Sequence, residues 1–363
     1  RTLYVRHQSI RKMIAKWGSN KGPSAVVEHG ANPGLVSHFA KQALFEISNK
    51  ILADGRAGSR QSAIESALAT ESFDRLAMLT GTRVIHISER DTQITNEPKR
   101  VNEFVNTWSV EGFYEEGVAP AEMGWGTHER WMPANAHVHA DDGPCNQICL
   151  AQPGMETWVR SWVPSGEILG MIIRHGESYT MSNHLTVRDE SGKAIYRPTV
   201  HYSYCPSNEA INSVLELRMR NWERQPEQRI MNNEIISGRD ELGVLLLGHD
   251  YTGWWTGTRL SIDEARSIVD GQSATTLQVA GSVIAAFKWM VASPNEGVCV
   301  PDDLPWKSVL ADARPYIGEI HSAPTDWDPL KTRNDLFPGF GNTSRLDLTD
   351  PWQFKNFLSP TPS

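Results

Sequence analysis

Apolar residues recur at helical spacing at the start of the chain. Ile10, Met13, Ile14 and Trp17 fall on one side of a helix over residues 5–17. "NKGPS" breaks it, and "AVVEHG" reads as a short buried strand. A long helix is expected from Asn32, because Val36, Phe39, Ala40, Ala43 and Ile47 repeat on one face. Asn32 is suited to cap that helix and Pro33 to open its first turn. Helix, strand, helix is the pattern of the later half of a doubly wound domain. "ADGRAGSRQ" reads as a loop and "SAIESALATESFDRLAMLTG" as further helix. From residue 82 the period changes to that of strands, in "TRVIHISERD", "METWVRSWVP", "GEILGMIIRHGESYTMSNHLTVRD" and "KAIYRPTVHYSY". "ELGVLLLG" and "YTGWWTGTRL" follow at hairpin distance. This middle region predicts a mostly antiparallel or mixed sheet with helices beside it. "ATTLQVAGSVIAAFKWMVA" is apolar over most of its faces, as a helix buried between domains would be, and the Pro-rich end shows no strong regular structure.

Composition narrows the class. The 363 residues are 39% hydrophobic and 21% charged, a globular balance. A net charge of -8 argues against nucleic-acid binding and favours cationic ligands. Cys145, Cys149, Cys205 and Cys299 are too sparse for a disulfide framework, and Cys145-x3-Cys149 lacks a second Cys/His pair at zinc-finger spacing. Reduced thiols, no signal peptide and no apolar run of membrane-spanning length make a cytoplasmic protein the expectation. The chain opens on Arg1 rather than Met, so a preceding N-terminal part is expected. Thirteen tryptophans are enough to spare some for aromatic walls, which cations favour.

Three stretches carry candidate chemistry. In "IIRHGES" a strand would point Met171, Ile173, His175 and Glu177 to one face, and a carboxylate beside an imidazole tunes and orients it for acid/base work. The alternative is a solvent-facing pair at a strand end. Glu89 ends the strand "TRVIHISERD", and Trp108 precedes Glu111, Glu115 and Glu116 in an aromatic-rich loop; acids beside aromatic rings hold ammonium groups, although a solvated acidic loop has the same composition. "GWGTHERWMPANAHVHADD" offers His137, His139, Asp141 and Asp142 as metal ligands. His-x-His brings its rings together only on a strand, Pro133 and Asn135 argue for a loop, and His128-Glu129 lacks the second His of H-E-x-x-H, so no metal is expected. "PGFGNTSR" contains G-x-G without a strand before it or a helix after it. There is no P-loop, no G-x-S-x-G and no basic stripe with interleaved aromatics.

Taken together, "EHGANPGLVSHFAKQAL", "GWGTHERWMP", "IIRHGES", "YRPTVHYSY", "DELGVLLLG" and "ATTLQVAGSV" resemble the bacterial homospermidine synthases, relatives of the saccharopine dehydrogenases, over nearly the whole chain. The resemblance implies an α/β fold: a remnant of a Rossmann-type NAD-binding domain plus a larger α+β substrate and dimerisation domain with a mixed sheet. Residues 1–35 would be the later part of the Rossmann-type domain, 36–271 the substrate domain, and 272–363 a segment returning to the first. The family's glycine fingerprint would lie ahead of residue 1. NAD would serve as an internal hydride carrier, with putrescine or spermidine as substrates and a homodimer as the assembly. The implied product is sym-homospermidine, formed through imines with loss of ammonia or diaminopropane. Glu89, Trp108 and Glu116 become an acidic and aromatic wall, His175 and Glu177 the acid/base and anchoring pair, and Asn32 an orienter. Asp240 and Glu115 would bind substrate, and Gly30, Ala31, Asn32, Pro33 and Thr275 would face the cofactor. Competing readings are a saccharopine-type amino-acid dehydrogenase, which needs Arg or Lys to clamp a carboxylate, a non-catalytic binding fragment without its cofactor half, and a metal hydrolase.

Overall fold

Strand-period residues assemble a ten-stranded mixed sheet in the computed structural model, which describes residues 2–139, 143–333 and 346–359. Its strands are β2 (Val84–Asp91), β3 (Pro120–Gly124), β4 (Ala136–Val138), β5 (Gln147–Pro153), β6 (Trp158–Val163), β7 (Gly166–Met171), β8 (Thr199–Cys205), β9 (Arg239–Leu247), β10 (Gly253–Ser261) and β12 (Ile320–Thr325). Eight run in the order β12-β10-β9-β2-β8-β3-β5-β4, with β7 also on β8 and β6 on β7. Only β2 and β8 pair in parallel; the other pairs are antiparallel, and Leu247 opposite Gly253 closes the expected β9–β10 hairpin.

A second, smaller unit stands apart. β1 (Gly22–Val26) and β11 (Glu296–Cys299) pair in parallel, with Val26 opposite Cys299. Helix α9 (Ala274–Ala292) packs on β1, whereas α1 (Leu3–Lys16) is tied to the large sheet by Leu3 N, which donates to Glu122 Oε1 at 2.8 Å. The remaining helices are α2 (Leu35–Ala53), α3 (Gln61–Ala69), α4 (Phe73–Thr80), α5 (Val110–Val118), α6 (Glu177–His184), α7 (Asn208–Met219), α8 (Ile262–Ile268), α10 (Trp306–Ile317) and α11 (Phe354–Phe357).

Both faces of the large sheet are covered. On one, Ile85, Ile87, Val200, Leu242, Val244 and Leu246 join a core that includes Val36, Phe39, Ala43 and Ile47 of α2. On the other, Val84, Leu245, Leu247 and Trp255 meet Trp327, Phe354 and Phe357. Each such fully buried side chain contributes about 1.5–3 kcal/mol, so the two layers dominate the stability of this unit. His86 and Ser88 on the second face are tolerated because His86 Nδ1 meets Ser161 Oγ at 2.9 Å and Ser88 donates to the Trp162 carbonyl at 2.6 Å.

Several expectations are corrected. The long helix begins at Leu35, and Asn32 does not cap it. The carbonyls of Gly30 and Ala31 accept from Leu35 N and Val36 N at 3.1 and 3.3 Å, which frees the Asn32 side chain. The strand predicted through residue 178 stops at Met171; "IIRHG" is an irregular turn and Glu177 opens α6, whose first turn takes over the backbone hydrogen bonding (Tyr179 N to Gly176 O, 3.0 Å). The acidic loop after Trp108 is helix α5, capped by Ser109, which accepts from Gly112 N at 3.0 Å. Residues 136–138 are a strand rather than loop because they pair with β5. The Pro-rich end contains α10, with Trp306, Val309, Leu310, Ala313 and Ile317 on its buried face and Pro315 inside it. Residues 320–325 pair with β10, and Phe354 and Phe357 lie in the second core. Finally, α9 is long and apolar enough by composition to cross a membrane, contrary to the sequence reading, and it is buried on one side only. Its Val279, Val283, Phe287 and Val291 are exposed at four-residue intervals.

Candidate active site

Three adjacent strands each place period-two residues on the same face, and at one end of that face apolar gives way to polar. Along β2 the order is Ile85, Ile87, Glu89, Asp91; along β8 it is Val200, Tyr202, Tyr204; along β9 it is Leu246, Val244, Leu242, Asp240. Register sets Asp240 opposite Asp91, and Tyr204 opposite Glu89. The acids thus gather at the strand ends in the middle of the sheet, where the turn after β1 and the N-terminus of α9 close over them.

A cavity of about 530 Å³ opens there. Asn32, Glu89, Trp108, Glu116, His175 and Asp240 all line it, together with Gly30, Ala31 and Thr275. The volume lies within the range of small-molecule sites, roughly 300–1,000 Å³. Among the described residues lining the cavity there is no Arg and no Lys.

Glu89 is buried and accepts from Asn32 Nδ2 at 2.7 Å and from the Tyr202 hydroxyl, both on Oε2. Burial pushes its carboxyl up, its two donors pull it down and Asp91 pushes again, for a net value of about 7. Asp91 is likewise raised by burial, to about 6, although Thr107 Oγ1 and the Gln93 amide groups donate to it. Burial, then Glu89 and Asp91, hold Asp240 well above the carboxylate range; Thr275 Oγ1 donates to its Oδ2 at 2.5 Å and its buried Oδ1 has no partner among the described residues. Gln93 ties this cluster to α9, donating to Thr275 Oγ1 at 3.1 Å and accepting from Ala274 N at 2.9 Å.

His175 sits between two carboxylates. Its Nε2 is 3.1 Å from Glu116 Oε2 and its Nδ1 is 3.2 Å from Glu177 Oε1. Burial opposes a charged ring, yet Glu177 and Glu116 outweigh it and raise His175 well above the ordinary imidazole value. Glu177 is fully buried behind the ring and does not line the cavity. Trp108 is fixed by its indole N–H, which donates to Tyr204 Oη at 2.8 Å. The turn carrying Asn32 is closed by Gly30 N donating to Pro33 O at 2.5 Å. Gly34 must be glycine: at its φ of 134° an added Cβ would lie 1.9 Å from the Gly30 oxygen.

Two anticipated residues lie elsewhere. Glu115 points out of α5 to Arg6 and Arg174, at 3.2 and 2.6 Å, because one helical step turns it away from Glu116. Pro33 shapes the turn without lining the cavity. Among the described residues, His137 and His139 join no group of three or more His, Cys, Asp or Glu side chains that could hold a metal ion. The His139 ring stacks on Tyr4 at 4.1 Å, and Glu129 instead accepts from Thr199 and Phe354 N at 2.6 and 2.9 Å. Asp141, Asp142 and "PGFGNTSR" lie outside the described residues. Tyr202, Asp91, Gln93 and Gln278 were missed. Asp91 was within reach, two residues beyond Glu89 on the same strand face; Tyr202 required knowing which strand pairs with β2.

This fold, with its acidic cavity at the ends of the central strands, defines a class: residues 30–325 match the saccharopine dehydrogenase C-terminal domain. The relatives are more specific. The chain is 45% identical over 360 residues to the homospermidine synthase of Blastochloris viridis, covering 99% of this chain and 72% of that protein. It is 41% identical to that of Mesorhizobium japonicum, covering 99% and 71%. The crystal structure of the Legionella pneumophila homospermidine synthase in complex with NAD superposes with a TM-score of 0.86 at 40% identity, covering 98% of this chain and 74% of that one. The chain belongs to the homospermidine synthase family.

Proposed function

We propose that the protein joins two putrescines, or spermidine and putrescine, into sym-homospermidine. Ammonia or diaminopropane leaves, imines are intermediates, and there is no net redox. The observation that carries this reading is the meeting of Glu89, Trp108, Glu116 and His175 around one cavity beside Asn32. A saccharopine-type substrate would need a cation to clamp its carboxylate, and no Arg or Lys lines the cavity among the described residues.

NAD fits the residues present. Gly30, Ala31 and Asn32 follow the carboxyl end of parallel β1, where α/β folds bind ligands, and all three line the cavity. These residues and Thr275 would hold its nicotinamide end, and when bound it supplies hydride acceptance and return. In this reading residues 1–35 and the β11 region belong to a Rossmann-type unit. The exposed stripe of α9 suits packing within such a unit. A cytoplasmic homodimer completes the reading.

The protein's own groups do the rest. A diamine carries two ammoniums near neutrality, since alkyl amines titrate near 10.4 as Lys does. Glu116 and the Trp108 face hold the far ammonium. The reacting amine must shed its proton, and Glu89, poised at about 7 with both of its donors on Oε2, is the acceptor. His175 carries a proton suited to a departing amine, and Asn32 fixes the orientation of Glu89.

The test is product analysis: labelled putrescine and NAD with the full-length protein should give homospermidine and ammonia. Reduction of NAD by an α-amino acid without polyamine product would favour the dehydrogenase reading. Trp108→Ala is expected to lower kcat/KM for putrescine by about 2- to 30-fold, the equivalent of a cation–π contact of about 0.5–2 kcal/mol. Steady-state kinetics decide it, and an unchanged value removes the indole from the site.

A further inference from the structure

Behind the cavity wall, outside the groups assigned so far, lies a chain of hydrogen bonds crossing three elements. Ser282 of α9 donates Oγ–H to the Gly30 carbonyl at 2.6 Å and lies 2.9 Å from His29 Nδ1. His29 Nε2 is in turn 3.1 Å from Nε2 of His38 on α2. Ser282 and His38 are fully buried.

A hydroxyl has one hydrogen to give. Since Ser282 spends it on Gly30, His29 must donate to it from Nδ1. His29 Nε2 is then bare and can only accept, so His38 donates from its own Nε2. That leaves His38 Nδ1 bare, and this atom is the one with no partner among the described residues. Burial keeps both rings neutral, lowering His29 to about 4 and His38 well below its ordinary value, where His29 and Lys41 add to the effect. Every bond runs the same way, from α2 through the turn to α9 and back to the turn.

We propose that Ser282, held by His29 and His38, is a positioning residue for Asn32 and so for the orientation of Glu89. The proposal rests on reading the cavity as a diamine site. Gly30 O receives Ser282 Oγ and also Leu35 N at 3.1 Å, and its own N–H closes the turn on Pro33. With Gly30 fixed from both sides, Asn32 two residues later meets Glu89 Oε2 at 2.7 Å. None of the three lines the cavity, so they act through the backbone. A purely structural role would lower stability; a positioning role lowers turnover with substrate affinity intact.

In the full-length protein Ser282→Ala is expected to reduce kcat about tenfold while the putrescine KM stays within about twofold. Ser282→Thr, which keeps the hydroxyl, is expected to restore it. Independently, ¹⁵N shifts of labelled histidines should report His29 as the Nδ1–H tautomer and His38 as the Nε2–H tautomer. A wild-type protein inactive with putrescine would overturn the diamine reading. An active one in which Ser282→Ala turns over normally, or in which His29 carries its proton on Nε2, would overturn the positioning role.

Discussion

Glu89→Gln is expected to lower kcat/KM for putrescine by about 100-fold or more while preserving the fold, which places it among the largest single effects at this site. The substitution is clean. Asn32 and Tyr202 both donate to Oε2, and a glutamine oxygen can accept from both, so only the charge and the basic site are lost. The pH profile separates these. With its carboxyl near 7, wild-type Glu89 is ionised above that pH and protonated below it, so kcat/KM should fall as pH drops through about 7. Glu89→Gln should flatten that limb; a limb that persists would assign it to another group. Stability runs the other way. A carboxyl raised in the folded state favours folding fully below its unfolded value and loses that contribution as pH climbs through about 7. The glutamine variant should therefore melt higher than wild type at pH 8 and show less difference at pH 4, as calorimetry can check.

His175→Ala should cut homospermidine formation by about 100-fold to 10,000-fold, the usual span of a positioned acid or base. It carries a second, structural consequence. Glu177 is fully buried 3.2 Å from the ring, so removing the imidazole strands a carboxylate without its cation. Breaking a buried pair on one side costs about 3–5 kcal/mol unless the remaining group takes up a proton. The single variant should thus be markedly destabilised at high pH and less so at low pH. Adding Glu177→Gln should recover stability without recovering activity. Recovery of both would mean that His175 only supports the fold, and normal homospermidine formation in the single variant would remove it from the chemistry.

What could be read from the sequence follows from which forces are local. The α2 face and the β9–β10 hairpin are set by periods of three to four and of two, and both are found as expected. Where the chain's path departs from its local period, reading failed in instructive ways. His175 and Glu177 are indeed neighbours, but because a helix starts at Glu177, not because a strand alternates. The acids after Trp108 were read as one patch, whereas a helix turns Glu115 toward Arg174 and leaves Glu116 for the cavity. Asn32 looks like a helix cap because it is a small polar residue before a helix; the backbone carbonyls of Gly30 and Ala31 do that work instead. Tyr202 and Glu89 are 113 residues apart in sequence, and only the parallel pairing of β8 with β2 joins them. The combination of wall residues came from motif resemblance, since no pattern within a single element encodes it.

The cavity's lack of Lys and Arg has a kinetic side. With carboxylates and no Lys or Arg among the described residues that line it, the cavity draws dications in from a distance, and dissolved salt shortens that reach from about 10 Å at 0.1 M to about 3 Å at 1 M. Capture from dilute solution therefore slows as ionic strength rises, whereas proton exchange between groups already in contact inside the cavity does not.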